Sequence, residues 1–220
     1  ELDSKSSLCH QDQLDYVALW NVRAEANEVP NRIQSALTVL RDKSAFYDAV
    51  QYEHATAVVE AAQRVIAAAY GPLSLDFVSY RTPFSLTNQH EIEHDSKPNR
   101  NPFYAYFEHL VERIRGSGVE LVGISVAFPG QIQPAYSLAL MLRRALPGVH
   151  VTAGGPALSQ ILLRQKSRAR QEEASFAFDS VIVGEGEIAL LELTKSISRK
   201  EKVDKIIQGH RIDDLGILPA

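Results

Sequence analysis

From residue 119 onward, apolar and polar positions alternate between two periods. VELVGISV (119–126) is a short β-branched run, bounded by Gly116 and Gly118 before and Pro129-Gly130 after. That pattern predicts a buried strand. Across 134–146 the apolar residues Leu138, Met141, Leu142 and Ala145 fall at helical spacing, and Pro147-Gly148 ends the run. VHVTA (149–153) predicts a second strand, closed by Gly154-Gly155-Pro156, and 157–165 a short helix. The polar stretch 164–173 reads as a solvated helix end and loop. FDSVIV (178–183) predicts a third strand. Residues 187–198 predict a helix with Ile188, Leu191, Thr194 and Ile197 on one stripe, and 203–208 a short fourth strand. Strand and helix alternating at this pace predict βαβ units: a flavodoxin-like (Rossmann-like) parallel sheet, with right-handed crossovers and helices on both faces.

The first half is more helical. YVALW (16–20) reads as a strand, 33–40 and 55–69 as helices, and 73–80 as another strand. In 55–69, Val58, Ala62, Val65 and Ala69 share one face. Residues 85–101 are polar, carry Pro98 and two late asparagines, and read as a long loop. Phe103, Phe107, Leu110, Val111 and Ile114 predict an amphipathic helix leading into the strand at 119. The expected organisation is one α/β domain over 1–215. A helical elaboration occupies about 25–115, the βα core 116–210, and a linker begins at 216–220.

Composition adds boundaries. A 220-residue chain with 45% hydrophobic and 23% charged residues is an ordinary globular protein. Its net charge of −4 gives no nucleic-acid footprint. No apolar run reaches the ~18 residues of a membrane span. A single cysteine, Cys9, excludes an internal disulfide and any all-cysteine metal cluster, which fits a reducing cytoplasm. The chain opens on Glu-Leu-Asp, as a fragment or processed product would.

In an open parallel sheet, ligands bind at the carboxyl ends of the strands. Three of those ends share a character here: Ser125 through Gln131, Gly154-Gly155-Pro156, and Gly184-Glu185-Gly186-Glu187. Glycines there allow left-handed backbone and close approach of a ligand to the main chain. Together they predict one shelf for a large flat ligand. Glu187 reads as a helix-opening carboxylate facing the macrodipole; Glu185 is the open one. His90-Glu-Ile-Glu-His94 matches the zinc-peptidase spacing H-E-x-x-H, but its polar flanks, closed by Pro98, read as a solvated loop. The other histidines are isolated, and no nucleophile elbow, Walker loop or G-x-G-x-x-G follows a strand.

The segments LVGISVAFPGQIQPAYSLALMLRRALPGVHVTAGGPALS and FDSVIVGEGEIALLEL carry a GIS strand, a GGP strand end and a GEGE strand end in order. They resemble the cobalamin-binding-type domain at the N-terminus of many radical SAM enzymes. The likeness covers about 120–197, and the tail IDDLGILPA is similar to the segment leading toward the radical SAM barrel. The resemblance implies a corrinoid at the carboxyl edge. Ser125 and the Gly154-Gly155 turn would lie near its nucleotide tail, with Gly184, Glu185 and Gly186 lining the same groove and Gln131 among the cofactor-binding residues. It also implies that the iron–sulfur cluster and S-adenosylmethionine belong to a C-terminal barrel beyond this chain. The reaction would be methyl transfer, or modification of a peptide or small-molecule substrate, and this chain would not catalyse it alone. One departure stands out: the D-x-H-x-x-G loop that supplies a lower cobalt ligand is missing, and residues 21–26 read NVRAEA. The alternative is a domain that kept the fold, lost the cofactor and serves as a docking module.

Overall fold

A computed structural model describes residues 9–83, 86 and 88–212. Where one domain is expected, the chain divides into two compact units, Glu1–Pro83 and Phe84–Ala220. The amphipathic helix expected over about 103–114 therefore falls in the same unit as the α/β core. No helix among the described residues is long and apolar enough to cross a membrane.

The first unit is helical: α1 (His10–Asn21), α2 (Arg23–Arg41), α3 (Lys43–Phe46) and α4 (Ala49–Ala69). The strand expected at 16–20 is the C-terminal half of α1. One helical turn brings the Tyr16 and Trp20 rings into a stack with centroids 6.2 Å apart, and Arg23 lies over Trp20 at 5.2 Å. These contacts at i,i+4 and i,i+3 need helical spacing and outweigh the aromatic preference for strands. α2 and α4 pack as a hairpin around Ala36, Ala55 and Val58. Asp42 and Asp48 cap α3 and α4 by accepting backbone N–H bonds. Arg64 grips Glu25 with both Nε and Nη2, the latter at 2.8 Å. The single strand expected at 73–80 is two antiparallel pieces, β1 (Ser74–Leu75) and β2 (Tyr80–Arg81). The Asp76 carboxylate folds the chain between them by accepting from Val78 N and Ser79 N, both at 2.8 Å.

The second unit begins with α5 (Gln89–Asp95), inside the stretch expected to be loop. Asn88 caps it, and Ile92 is almost wholly buried. One anchoring apolar residue and one cap suffice for a two-turn helix; the polar flanks hid it. Then follow α6 (Tyr104–Arg115), β3 (Leu121–Ser125), a 3₁₀ turn (Pro129–Gln131), α7 (Ile132–Ala145), β4 (His150–Gly154) and α8 (Pro156–Leu163). α9 (Arg168–Ala174), β5 (Ser180–Val183), α10 (Glu187–Ser198) and β6 (Ile206–Gln208) complete it. The polar stretch expected as loop thus holds α9, started by Ser167 and anchored by buried Ala174.

The four strands form an all-parallel sheet in the order β3-β4-β5-β6, flanked by helices, consistent with a flavodoxin-like fold. Val151, Ala153, Val181 and Val183 meet α7 and α8 on one face. Ile182 and Leu121 meet Ala189, Leu193 and Ile197 of α10 on the other. Strand order runs one way while the helices lie on opposite faces. The crossovers therefore cannot all share the expected right hand. The inward stripe of α10 is Ala189 and Leu193, not Ile188 and Leu191, which are 38% and 53% exposed. Small Ala189 lets the helix approach the sheet closely at Ile182.

Candidate functional site

The three motif ends fall on adjacent strands, so the fold brings GIS, GGP and GEGE to one carboxyl edge. Ser125 ends β3 and is exposed. Within β3, Gly123 is also exposed, and a Cβ there would touch only Thr152 Cγ2, at 3.9 Å. Gln131 turns back on its own loop: Oε1 accepts from Ala127 N at 2.8 Å and Phe128 N at 3.1 Å. Its carboxamide oxygen shapes the turn leaving β3 and lifts Phe128, 66% exposed, over that corner.

At β4, Gly154 pairs with Ser125 in register. Gly155 sits at φ +108°, and a Cβ there would stand 2.5 Å from Val126 O. Ala157 N donates to the same carbonyl at 3.2 Å. The glycine therefore exists for close approach, and what approaches is the main chain of the neighbouring strand end.

At β5, Gly184 has φ +94°, its N–H donates to Ser159 Oγ at 3.2 Å, and a Cβ would lie 3.3 Å from Gly209 O. Gly209 is closer still: its Cβ would fall 1.8 Å from Glu185 O. Gly209 N in turn donates to Val183 O at 2.8 Å. Glu185 Oε2 accepts from Ile212 N at 2.5 Å. Residues 209–212 thus cross the Gly184-Glu185 turn and fasten to its carboxylate. Gly186 precedes α10, where a Cβ would make only ordinary contact with Ile182. Glu187 lies in the first turn of α10, where its charge suits the helix N-terminus.

The described residues therefore divide the expected shelf. Its β3–β4 part, with Ser125 and Gly154, stays accessible, and the mid-strand Gly123, outside the expected set, is exposed beside it. Its β5 part is taken by the chain itself. Sequence reasoning missed Gly209, the capping role of Gln131 and the Ser159 acceptor. A further glycine, one residue after the last predicted strand, was the available signal for the first.

The opposite edge of the sheet carries a cavity of about 550 Å³, lined by Glu120, His150, Asp179, Ile197 and Glu201 among others. His150 Nε2 meets Ser180 Oγ at 2.8 Å, and burial lowers its pKa against the opposing pull of Asp179. Asp179 accepts from Val151 N at 2.8 Å and faces Arg143 Nε at 3.3 Å. Lys205 donates to Phe178 O; burial, reinforced by Arg143, lowers its pKa. These groups stitch the start of β5 to its neighbours.

The zinc-like spacing falls on α5, with His90 exposed and His94 half-buried. Among the described residues no three His, Cys, Asp or Glu side chains converge to hold a metal. Residues 21–26, where a lower cobalt ligand would stand, form the junction of α1 and α2 and not a loop leaving a strand. Comparison with family models, with curated proteins and with solved structures finds no match to this chain.

Proposed function

We propose that the α/β unit is a cobalamin-binding-type domain of a radical SAM enzyme, and that the β3–β4 half of its carboxyl edge receives the nucleotide-like tail of a corrinoid. The observation that carries this reading is the convergence of GIS, GGP and GEGE on three adjacent parallel strand ends. Ligands of open parallel sheets bind there.

The residues fit the group in part. Exposed Ser125 offers a hydroxyl at the strand end, and Gly123 and Gly154 keep the floor free of side chains. Gly184, Glu185 and Gly186 do not fit in this arrangement, because residues 209–212 lie against that turn. When bound, the corrinoid supplies methyl-carrier chemistry; this chain binds and orients it. The iron–sulfur cluster and S-adenosylmethionine belong to another domain, since one cysteine cannot hold a cluster. The protein is to be incubated with hydroxocobalamin, desalted, and its visible spectrum recorded. Retained corrin bands are expected, weakened by Ser125→Trp. A spectrum free of them contradicts the reading.

A second reading has its own observation. The β5 end is filled by the chain's own backbone and Glu185 is already engaged. That favours a docking module that holds the following segment in place and needs no cofactor. Loss of the corrin bands on desalting is the result this reading predicts.

A further inference from the structure

The cavity at the amino ends of the strands holds one side chain whose proton is fixed by its neighbours. Thr152 Oγ1 lies 3.3 Å from Ser180 O, a carbonyl that only accepts, so Thr152 commits its hydroxyl hydrogen there. Ser180 Oγ donates to Thr152 Oγ1 at 2.9 Å. Only lone pairs of Ser180 Oγ then face His150 Nε2, 2.8 Å away, so Nε2 carries the proton. Thr152 and Ser180 are both buried, and water does not compete for these bonds. Burial also lowers the His150 pKa, so the ring is neutral at pH 7. Its other nitrogen, Nδ1, is left as a bare acceptor with no hydrogen-bond partner among the described residues.

The walls around the half-buried ring decide what Nδ1 can accept from. Three carboxylates line the cavity. Asp179 is shared with Arg143 at 3.3 Å and Glu201 with Arg199 at 3.9 Å, while exposed Glu120 has no cationic partner among the described residues. Two helices end here, α7 just before Pro147-Gly148 and α10 at Ser198, and both present the negative ends of their dipoles. The nearby cations are engaged: Arg143 also donates to Phe176 O at 2.8 Å, and Lys205 donates to Phe178 O. Lys200 is exposed at the rim. Val149, Ile197 and Val203 add an apolar wall. A ligand with a positive charge, N–H donors and a short aliphatic stem matches these walls. An anion would meet Glu120, a bare nitrogen lone pair and two helix C-termini.

We infer that this cavity is a second ligand site and takes a small aliphatic ammonium, with His150 Nδ1 accepting one N–H and Glu120 balancing the charge. The stem lies against Ile197 and Val203. The site stands at the edge of the sheet opposite Ser125 and Gly154, and it does not rest on the corrinoid reading. Protonation of His150 removes the acceptor and adds a like charge, so binding is complete above the folded pKa of His150 and is lost as pH falls through it. Asp179 opposes that protonation shift and Lys205 reinforces it, from the starts of β5 and β6.

The test is nitrogen NMR of the imidazole rings in the full chain at pH 7, with pentylammonium chloride as the probe and pentanol as its neutral counterpart. Without probe, His150 is expected as the Nε2–H tautomer. Pentylammonium is expected to shift Nδ1 and the methyls of Ile197 and Val203 saturably, and pentanol to leave them in place. Glu120→Gln, at an exposed position that no fold contact uses, is expected to weaken the affinity about tenfold. A His150 ring protonated on Nδ1 alone overturns the inference. So does the absence of a saturable shift up to about 10 mM probe. Equal shifts with pentanol, or unchanged affinity in Glu120→Gln, overturn it as well, because the charge would then play no part. The corrin spectrum is read separately, and its outcome leaves this site standing or falling on the probe alone.

Discussion

Gly155 has a backbone that other residues hold at a cost, with φ at +108°, and a Cβ would meet Val126 O at 2.5 Å. Both the torsion and the contact oppose a side chain, and the contact is with main chain that cannot rotate away. Gly155→Ala is therefore expected to destabilise the α/β unit by about 2–4 kcal/mol, measured by denaturant unfolding. A loss under about 0.5 kcal/mol would show that the turn relaxes freely. His150 makes a pH-dependent prediction. Burial holds its folded pKa below the ordinary ~6.5 of an unfolded chain. Between the two values the unfolded chain binds a proton that the folded one does not, so stability rises with pH through that window, and this group adds no further slope above or below it. His150→Gln is expected to flatten this slope in unfolding curves collected from about pH 5 to pH 7. An unchanged slope would assign it to other groups. The strand-end glycines were visible in the sequence. What they approach was not, because a glycine declares only that something comes close. Gly155 faces Val126, and Gly184 faces Gly209, 25 residues further on.

At the scale of elements, β6 and the residues after it do more than extend the sheet. Residues 209–212 lie on the turn after β5, held by Glu185 Oε2 and by the fit of Gly209 against Glu185 O. Removing that acceptor costs about 1–2 kcal/mol of local stability, close to a tenfold change in opening. Glu185→Ala is expected to raise the rate of protease cleavage within 209–212 by about tenfold, and Glu185→Gln, which keeps an acceptor oxygen, by much less. Equal rates in all three proteins would contradict the fastening. The βα core was legible because its strands are short β-branched runs cut by Gly and Pro, and α10 begins and ends where its pattern says. The misread elements have physical reasons. Residues 16–20 look like a strand until Tyr16 and Trp20 stack across a helical turn. α5 and α9 each have one buried anchor amid polar residues, too little for a periodicity to register. On α10 Ile197 packs inward as expected, but the first two turns were misread, because Ala189 is the residue small enough to sit on the sheet and Leu193 follows it one turn on.

At the scale of the whole molecule, the two units bury their apolar residues unequally. The α/β unit closes a core around Tyr136, Phe178, Leu142 and Leu158, all fully buried, and Tyr136 OH donates to Ala174 O within it. The helical unit buries Ala36, Ala55 and Val58, while Leu14, Val17, Trp20 and Tyr47 stay more than half exposed. Net charge and composition could not signal that difference; it depends on which helix faces meet. The ligand reading concerns the first of these cores and one edge of its sheet. Amide exchange of the protein with and without saturating hydroxocobalamin tests it most directly. The reading predicts slowed exchange at residues 125–127 and 154–155, with residues 184–186, already covered by 209–212, unchanged. No slowing at 125–127 and 154–155, or slowing confined to 184–186, would contradict it.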